Sequence, residues 1–260
     1  MRTVEATNQI KLGHSHSPRS IVLDSKRAFE LWAEVYDDLP NPIVHRSERA
    51  IIQGLQDIRG FRVADLACGT GRLLAQLSHL APTTCVGFDL SNAMLQKARL
   101  REELTGRLIQ ADLHKLPVLS GSVDFVTFSL GLSYFRNLFQ VAQEIQRILK
   151  PGGRVLCTDL HPTTSELGWK RNFTLRNNHY EVTHHPHTAQ DVLQAFSMYF
   201  QLGRTLDLFF GDAERDIFEC AGKSALFEEL RSRAALILFE WTKPAATFWA
   251  ASNKPSDSLC

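Results

Sequence analysis

Between residues 62 and 160 short apolar runs alternate with segments whose apolar positions recur every three or four residues. Val63–Leu66, Thr84–Asp89 and Val123–Ser129 read as strands, the last almost continuously apolar, as in a strand buried on both faces. Arg107–Asp112 and Arg154–Asp159 complete a set of five. Between them the pattern predicts helices over Arg72–Leu77, Asn92–Arg99 with Ser91 as N-cap, and Leu138–Leu149. The breaker cluster Lys150-Pro-Gly-Gly153 predicts a sharp reversal before the fifth strand. Alternation at this spacing predicts a parallel sheet with helices on both faces and right-handed crossovers.

The flanks are patterned differently. Residues 1–24 are polar and predict a flexible segment. A helix follows over Lys26–Tyr36, with Phe29, Trp32, Ala33 and Tyr36 on one face. Asp37-Asp-Leu-Pro-Asn-Pro42 breaks it, and a second helix is expected from Ser47 to about Gln56. After Asp159 a polar stretch, residues 160–187, holds five of the ten histidines without clear periodicity and reads as a substrate lid. Thr188 and Asp191 make a capping-box-like start to a helix reaching Tyr199. Two strand candidates follow, Arg204–Phe210 and Ala234–Thr242, with Pro244 stopping the last. One domain is thus expected over residues 25–243, with 244–260 as a tail.

Composition narrows the class. The 260 residues are 44% hydrophobic and 22% charged, with a formal net charge of +1, which suits one soluble globular domain. So balanced a charge gives no broad attraction for nucleic acid or acidic membrane. No apolar stretch is long enough to span a bilayer, and the N-terminus lacks a signal-peptide core. Five scattered cysteines, three in or beside expected core strands, predict reduced thiols and a cytoplasmic setting. No zinc-ligand spacing occurs, so no metal is expected.

The chemistry concentrates at strand ends. Val63-Ala-Asp-Leu-Ala-Cys-Gly-Thr-Gly71 is an apolar strand closing on an acid and a glycine-rich turn, with a helix opening behind it. Glycines there allow tight turning and close ligand approach, and the helix start presents N–H groups to a ligand. Asp89 stands eighteen residues after Gly71 at the tip of the next strand, placed to accept both hydroxyls of a cofactor ribose. The third strand ends in Asp112. Gly69-Thr-Gly71 lacks the third glycine of a dinucleotide fingerprint, which disfavours a dehydrogenase.

In motif order the chain resembles the class I S-adenosylmethionine-dependent methyltransferases, closest to the ubiquinone/menaquinone-type small-molecule branch. Asp65-Leu-Ala-Cys-Gly-Thr-Gly71 is similar to that family's first motif, with Ala67 where many members have glycine. Gly87–Leu95, Ala111–Pro117, Gly121–Val126 and Leu149–Val155 resemble the later motifs. The resemblance, over roughly residues 25–243, implies a Rossmann-like α/β fold: a seven-stranded, mostly parallel sheet whose last strand inserts antiparallel. It implies S-adenosyl-L-methionine as cofactor. Asp65 and the backbone of Ala67, Gly69 and Gly71 would hold its methionine portion and Asp89 its ribose. Leu90 and Met94 would line the adenine, Asp112 and Leu113 would read its edge, Ser129 would lie near the methyl, and Tyr36 would close over the whole.

The acceptor side is carried by residue chemistry after strand five. An imidazole from His161, His179 or His184 is suited to take a proton during methyl transfer. Trp169 is suited to stack on a ring, Arg171 to pair with a carboxylate, and Tyr134 joins them as a candidate acceptor contact. These readings predict methyl transfer to an O, C or N atom of a small, aromatic or quinone-like metabolite by a monomer or homodimer. Two alternatives stay open: a tRNA or RNA base methyltransferase, for which a basic lid of Lys170, Arg171, Arg176 and the histidines is the only support, and a cofactor-binding regulatory protein without turnover.

Overall fold

The computed structural model describes residues 20–55 and 57–245. The expected N-terminal flexible stretch up to residue 19 and the tail from 246 lie outside them. In chain order the elements are β1 (Ile21–Leu23), α1 (Ser25–Trp32), α2 (Pro42–Gly54), β2 (Arg62–Leu66), α3 (Arg72–Ser78), β3 (Thr84–Asp89), α4 (Asn92–Ala98), β4 (Leu108–Gln110) and β5 (Val123–Ser129). There follow α5 (Leu138–Ile148), β6 (Leu149–Leu160), α6 (Thr163–Glu166), β7 (Asn172–Leu175), β8 (Asn178–Val182), α7 (Ala189–Ser197), β9 (Gln201–Leu208), α8 (Asp212–Cys220), α9 (Ser224–Leu230) and β10 (Leu236–Thr242).

Seven strands form one sheet in the order β4-β3-β2-β5-β6-β10-β9. The first five are mutually parallel, and β10 runs antiparallel to both β6 and β9. Alternate residues of each central strand feed opposite layers, as a period of two requires. Ala64, Val126, Phe128, Cys157 and Phe239 pack under α5 and α7. Val63, Phe125, Leu156 and Leu238 pack under α2, α3, α8 and α9. The fold is the expected Rossmann-like α/β sheet with helices on both faces.

Several local expectations change. The second helix begins five residues early: Asn41 caps it, its Oδ1 accepting from Ile43 N–H at 2.9 Å, and Pro42 is the first helical residue, where its missing N–H costs nothing. The third strand shrinks to Leu108–Gln110, so Asp112 sits beyond it. Lys150-Pro-Gly-Gly153 makes no separate turn. It is a bulge inside β6, whose pairing with β5 jumps from Val123↔Leu149 to Phe125↔Arg154. The capping box of Thr188 and Asp191 forms as expected.

Two departures shape the site. Residues 160–187 hold α6 and a β7–β8 hairpin, whose turn residues Arg176 and Asn177 take φ of +50° and +65°, the two-residue geometry matched to strand twist. β1 pairs parallel with β8, so the N-terminal end of the described chain and the hairpin make a second, three-stranded sheet. Its apolar side gathers Trp32, Phe173, Val182 and Met94 into a third core. The second departure is α8 and α9, two helices between β9 and β10 where none was expected.

Candidate active site

The glycine-rich turn is set by backbone conformation. Ala67, Gly69 and Gly71 have φ of +51°, +55° and +75°, the left-handed region that costs a side chain about 1–2 kcal/mol. A Cβ on Gly71 would stand 2.4 Å from Leu104 Cδ1, whereas one on Gly69 would meet nothing within 4 Å. Gly71 is therefore glycine for packing, and Gly69 leaves space on the open side of the turn. Asp89 fastens that turn to the next helix: Gly69 N–H donates to Oδ2 and Ser91 N–H to Oδ1, both at 2.8 Å. Each oxygen keeps a lone pair for a further donor.

The segment after α1 docks on the turn. Thr70 Oγ1 donates to Asp37 Oδ1 at 3.1 Å, Arg101 Nη2 lies 3.5 Å from Asp37, and Arg72 bonds Glu48 at 2.9 Å. This holds Tyr36 over the turn, its ring 5.3 Å from that of Trp32. Ser129, at the tip of β5, is 2.6 Å from Ser47 Oγ, which is 2.5 Å from Thr158 Oγ1. These hydroxyls tie α2 to the ends of β5 and β6.

A cavity of about 610 Å³ runs along this edge of the sheet. The structure brings Tyr36, Ala67, Gly69, Asp89, Leu90, Met94, Asp112, Leu113, Ser129, Tyr134, Trp169 and Arg171 to its wall. Asp65 and Gly71 lie behind the turn. The three expected histidines are not on the wall: His179 Nδ1 bonds Thr174 Oγ1 at 2.9 Å inside the hairpin, and His161 Nδ1 bonds Thr163 Oγ1 at 2.8 Å. His161 and His184 instead border a small neighbouring cavity of about 40 Å³. Arg171 is already committed, with Asp159 at 2.5 Å, and with Leu130 O and Tyr134 Oη both at 2.9 Å. The sequence reading missed Phe29, His114, Phe218 and Lys223 on the wall. The last two belong to the unforeseen α8–α9 pair, whereas Phe29 shares the apolar face of α1 with Trp32, a pattern that by itself signals burial and not binding.

Residues 64–157 match a family described as methyltransferase domain. Demethylmenaquinone methyltransferase of Lactococcus lactis is 40% identical over 41% of this chain and 45% of its own length. Ubiquinone/menaquinone biosynthesis C-methyltransferase UbiE of Pseudomonas aeruginosa is 33% identical over 60% of this chain and 65% of its own. An S-adenosylmethionine-dependent methyltransferase from Mesorhizobium loti superposes with a TM-score of 0.59 at 22% identity, covering 76% of this chain and 98% of that one. Residues 64–157 are thus similar to a methyltransferase domain, and the sheet has the fold of solved S-adenosylmethionine-dependent methyltransferases. The chain spans less than two thirds of the length of these two curated relatives.

S-adenosylmethionine, named for the Mesorhizobium loti structure, is a cation, and the turn here has the carboxylates to receive one. Asp65, Asp89 and Glu48 make the turn acidic. Asp65 is buried, with Oδ1 accepting from Thr127 Oγ1 at 2.7 Å and Oδ2 unpartnered. Burial outweighs the Thr127 bond and, with Glu48 and Asp89 nearby, pushes its pKa up to about 7. Burial likewise raises Asp89 against its backbone hydrogen bonds. At Asp112 desolvation is the largest single effect and raises the pKa, but the contributions of His114 together outweigh it: its N–H donates to Oδ1 at 2.9 Å, its ring lies 2.7 Å away, and the pKa falls.

Proposed function

We propose that the protein binds S-adenosylmethionine along the ends of β2, β3 and β4 and transfers its methyl group to a small, ring-containing acceptor. The observation that carries this reading is the continuity of one cavity, from the Asp89 tip past Ser129 to an aromatic wall of Phe29, Tyr134, Trp169 and Phe218. When bound, the cofactor would supply a methyl on a sulfonium for attack by an electron pair of the acceptor's O, N or ring carbon, with S-adenosylhomocysteine as leaving group and the acceptor's proton released to water.

The protein's share is placement and exclusion of water. Asp89 uses its spare lone pairs for the ribose hydroxyls, Leu90 and Met94 flank the base, and Asp112 with Leu113 meets its edge. Gly69 leaves room for the methionine portion, and Tyr36 covers it. Ser129 and Leu130 stand where that half of the cavity meets the aromatic half. His161, His179 and His184 stand off the wall and enter no step of this reading. The quinone-methylating relatives support a ring acceptor of quinone type.

Calorimetry with S-adenosylmethionine and S-adenosylhomocysteine tests the first half: one site is expected for each, and no heat with either overturns the reading. Labelled methyl offered with a short-chain demethylmenaquinol, a metabolite extract and bulk tRNA tests the second. Label is expected in a small ring compound, and label recovered in tRNA alone overturns that half.

A further inference from the structure

The wall of the cavity is unevenly charged. Its carboxylates are Asp89, at the tip of β3, and Asp112, just beyond the end of β4, where the proposed cofactor sits. The aromatic half presents cations, and two of these are neutralised: Arg171 by Asp159, and Lys170 by Glu181 at 2.8 Å. Lys223 is different. It is half-buried at the end of α8, and no carboxylate among the described residues pairs with it. Burial, with no charged neighbour to offset it, pulls its ammonium below the usual range.

The surroundings of Lys223 are fixed by a short chain of contacts. Its N–H donates to Phe218 O at 2.8 Å. The Phe218 ring meets Phe210 edge-on at 5.2 Å, and Phe210 stacks with Trp169 at 6.4 Å. Trp169 is 8% exposed, lines the same cavity, and its indole Nε1–H has no partner. The half-buried ammonium of Lys223 therefore stands beside this aromatic wall, and among the described residues no acceptor is shown for it. Such a group costs stability unless a ligand completes it.

We propose that Lys223 forms a subsite for an anionic group, a carboxylate or phosphate, carried by the methyl acceptor. The inference rests on the aromatic half of the cavity being the acceptor site. It adds that the acceptor is amphipathic, with a ring among the aromatic side chains and a negative charge at α8. Lys26, on α1 and also without an ion-pair partner among the described residues, lines the same cavity and adds to the positive potential.

The test is calorimetry on protein saturated with S-adenosylhomocysteine, using 1-naphthoate, 1-naphthyl phosphate and neutral 1-naphthalenemethanol as probes. A charge-assisted hydrogen bond predicts that one or both anions bind about tenfold more tightly than the alcohol. Which anion leads distinguishes carboxylate from phosphate. Lys223→Gln should cut that preference to about threefold or less and Lys223→Arg should keep it, with the alcohol's affinity unchanged by either variant. Equal binding of all three probes, binding of none, or a full preference in Lys223→Gln overturns the proposal. If S-adenosylhomocysteine gives no heat, the methyltransferase reading fails separately, and the probes are then titrated into the cofactor-free protein.

Discussion

Asp65 gives the sharpest test of how the turn is built. Its carboxyl is buried with one oxygen unpartnered among the described residues, and burial pushes its pKa up to about 7, against 3.8 for an exposed aspartate. The folded state thus holds a proton that the unfolded state has released across that interval. Stability falls as pH rises from about 4 to about 7, and the cost is complete above the folded pKa. Three units at about 1.36 kcal/mol each put the full cost on the order of 4 kcal/mol, of which about 2–3 kcal/mol falls between pH 5 and 8. Asp65→Asn keeps the oxygen that accepts from Thr127 and removes the titration. The offset between the two proteins is set by how the buried amide is satisfied, and the difference in slope by the titration of Asp65 with the carboxylates coupled to it. Thermal unfolding of both proteins without cofactor, at intervals from pH 5 to 8, should show the wild type losing about 5–10 °C relative to the variant. Parallel curves would refute the burial argument. A cation held at the turn favours the ionised form, so S-adenosylmethionine binding near pH 7 should release a fraction of a proton. That release is read from the dependence of binding heat on buffer ionisation enthalpy, and a heat independent of buffer would separate Asp65 from the cofactor's charge.

Asp89→Asn replaces one acceptor oxygen by a donor between Gly69 N–H, Ser91 N–H and the proposed ribose; S-adenosylhomocysteine affinity should fall by about 100-fold or more, and titration of folded protein giving a change under threefold would contradict the placement. Gly71→Ala combines a positive φ with a Cβ 2.4 Å from Leu104, and denaturant unfolding should show a loss of about 2–5 kcal/mol; a loss under 1 kcal/mol would mean the turn relaxes freely. Buried Glu214 holds α8 to α2 through Arg49 at 2.7 Å and His45 at 2.8 Å, so Glu214→Ala should speed hydrogen exchange across Asp212–Cys220 while β2 to β6 stay protected; unchanged exchange would deny the tether.

Much of the site was legible because its determinants are local. The spacing from the turn to Asp89, the Ser91 cap and the Thr188–Asp191 box each depend on residues within one strand, turn and helix, so periodicity and residue type suffice. The left-handed φ of Ala67 shows why a glycine there is usual in the resembled family and why alanine is tolerated at modest cost. The acceptor half was legible only in part. Tyr134, Trp169 and Arg171 reach the wall, but Arg171 spends its charge on Asp159, and the histidines are bonded away from the cavity.

The sequence by itself determined the five parallel strands, the helices between them and the carboxylates at their tips, since these follow from hydrogen bonding and burial within contiguous segments. Only the tertiary structure decided that Ile21–Leu23 would pair with Asn178–Val182, that α8 and α9 would bring Phe218 and Lys223 to the cavity, and that His161, His179 and His184 would face elsewhere. Those outcomes depend on which distant surfaces bury one another, and a short strand or a lone imidazole carries no periodic signal of the partner that will cover it.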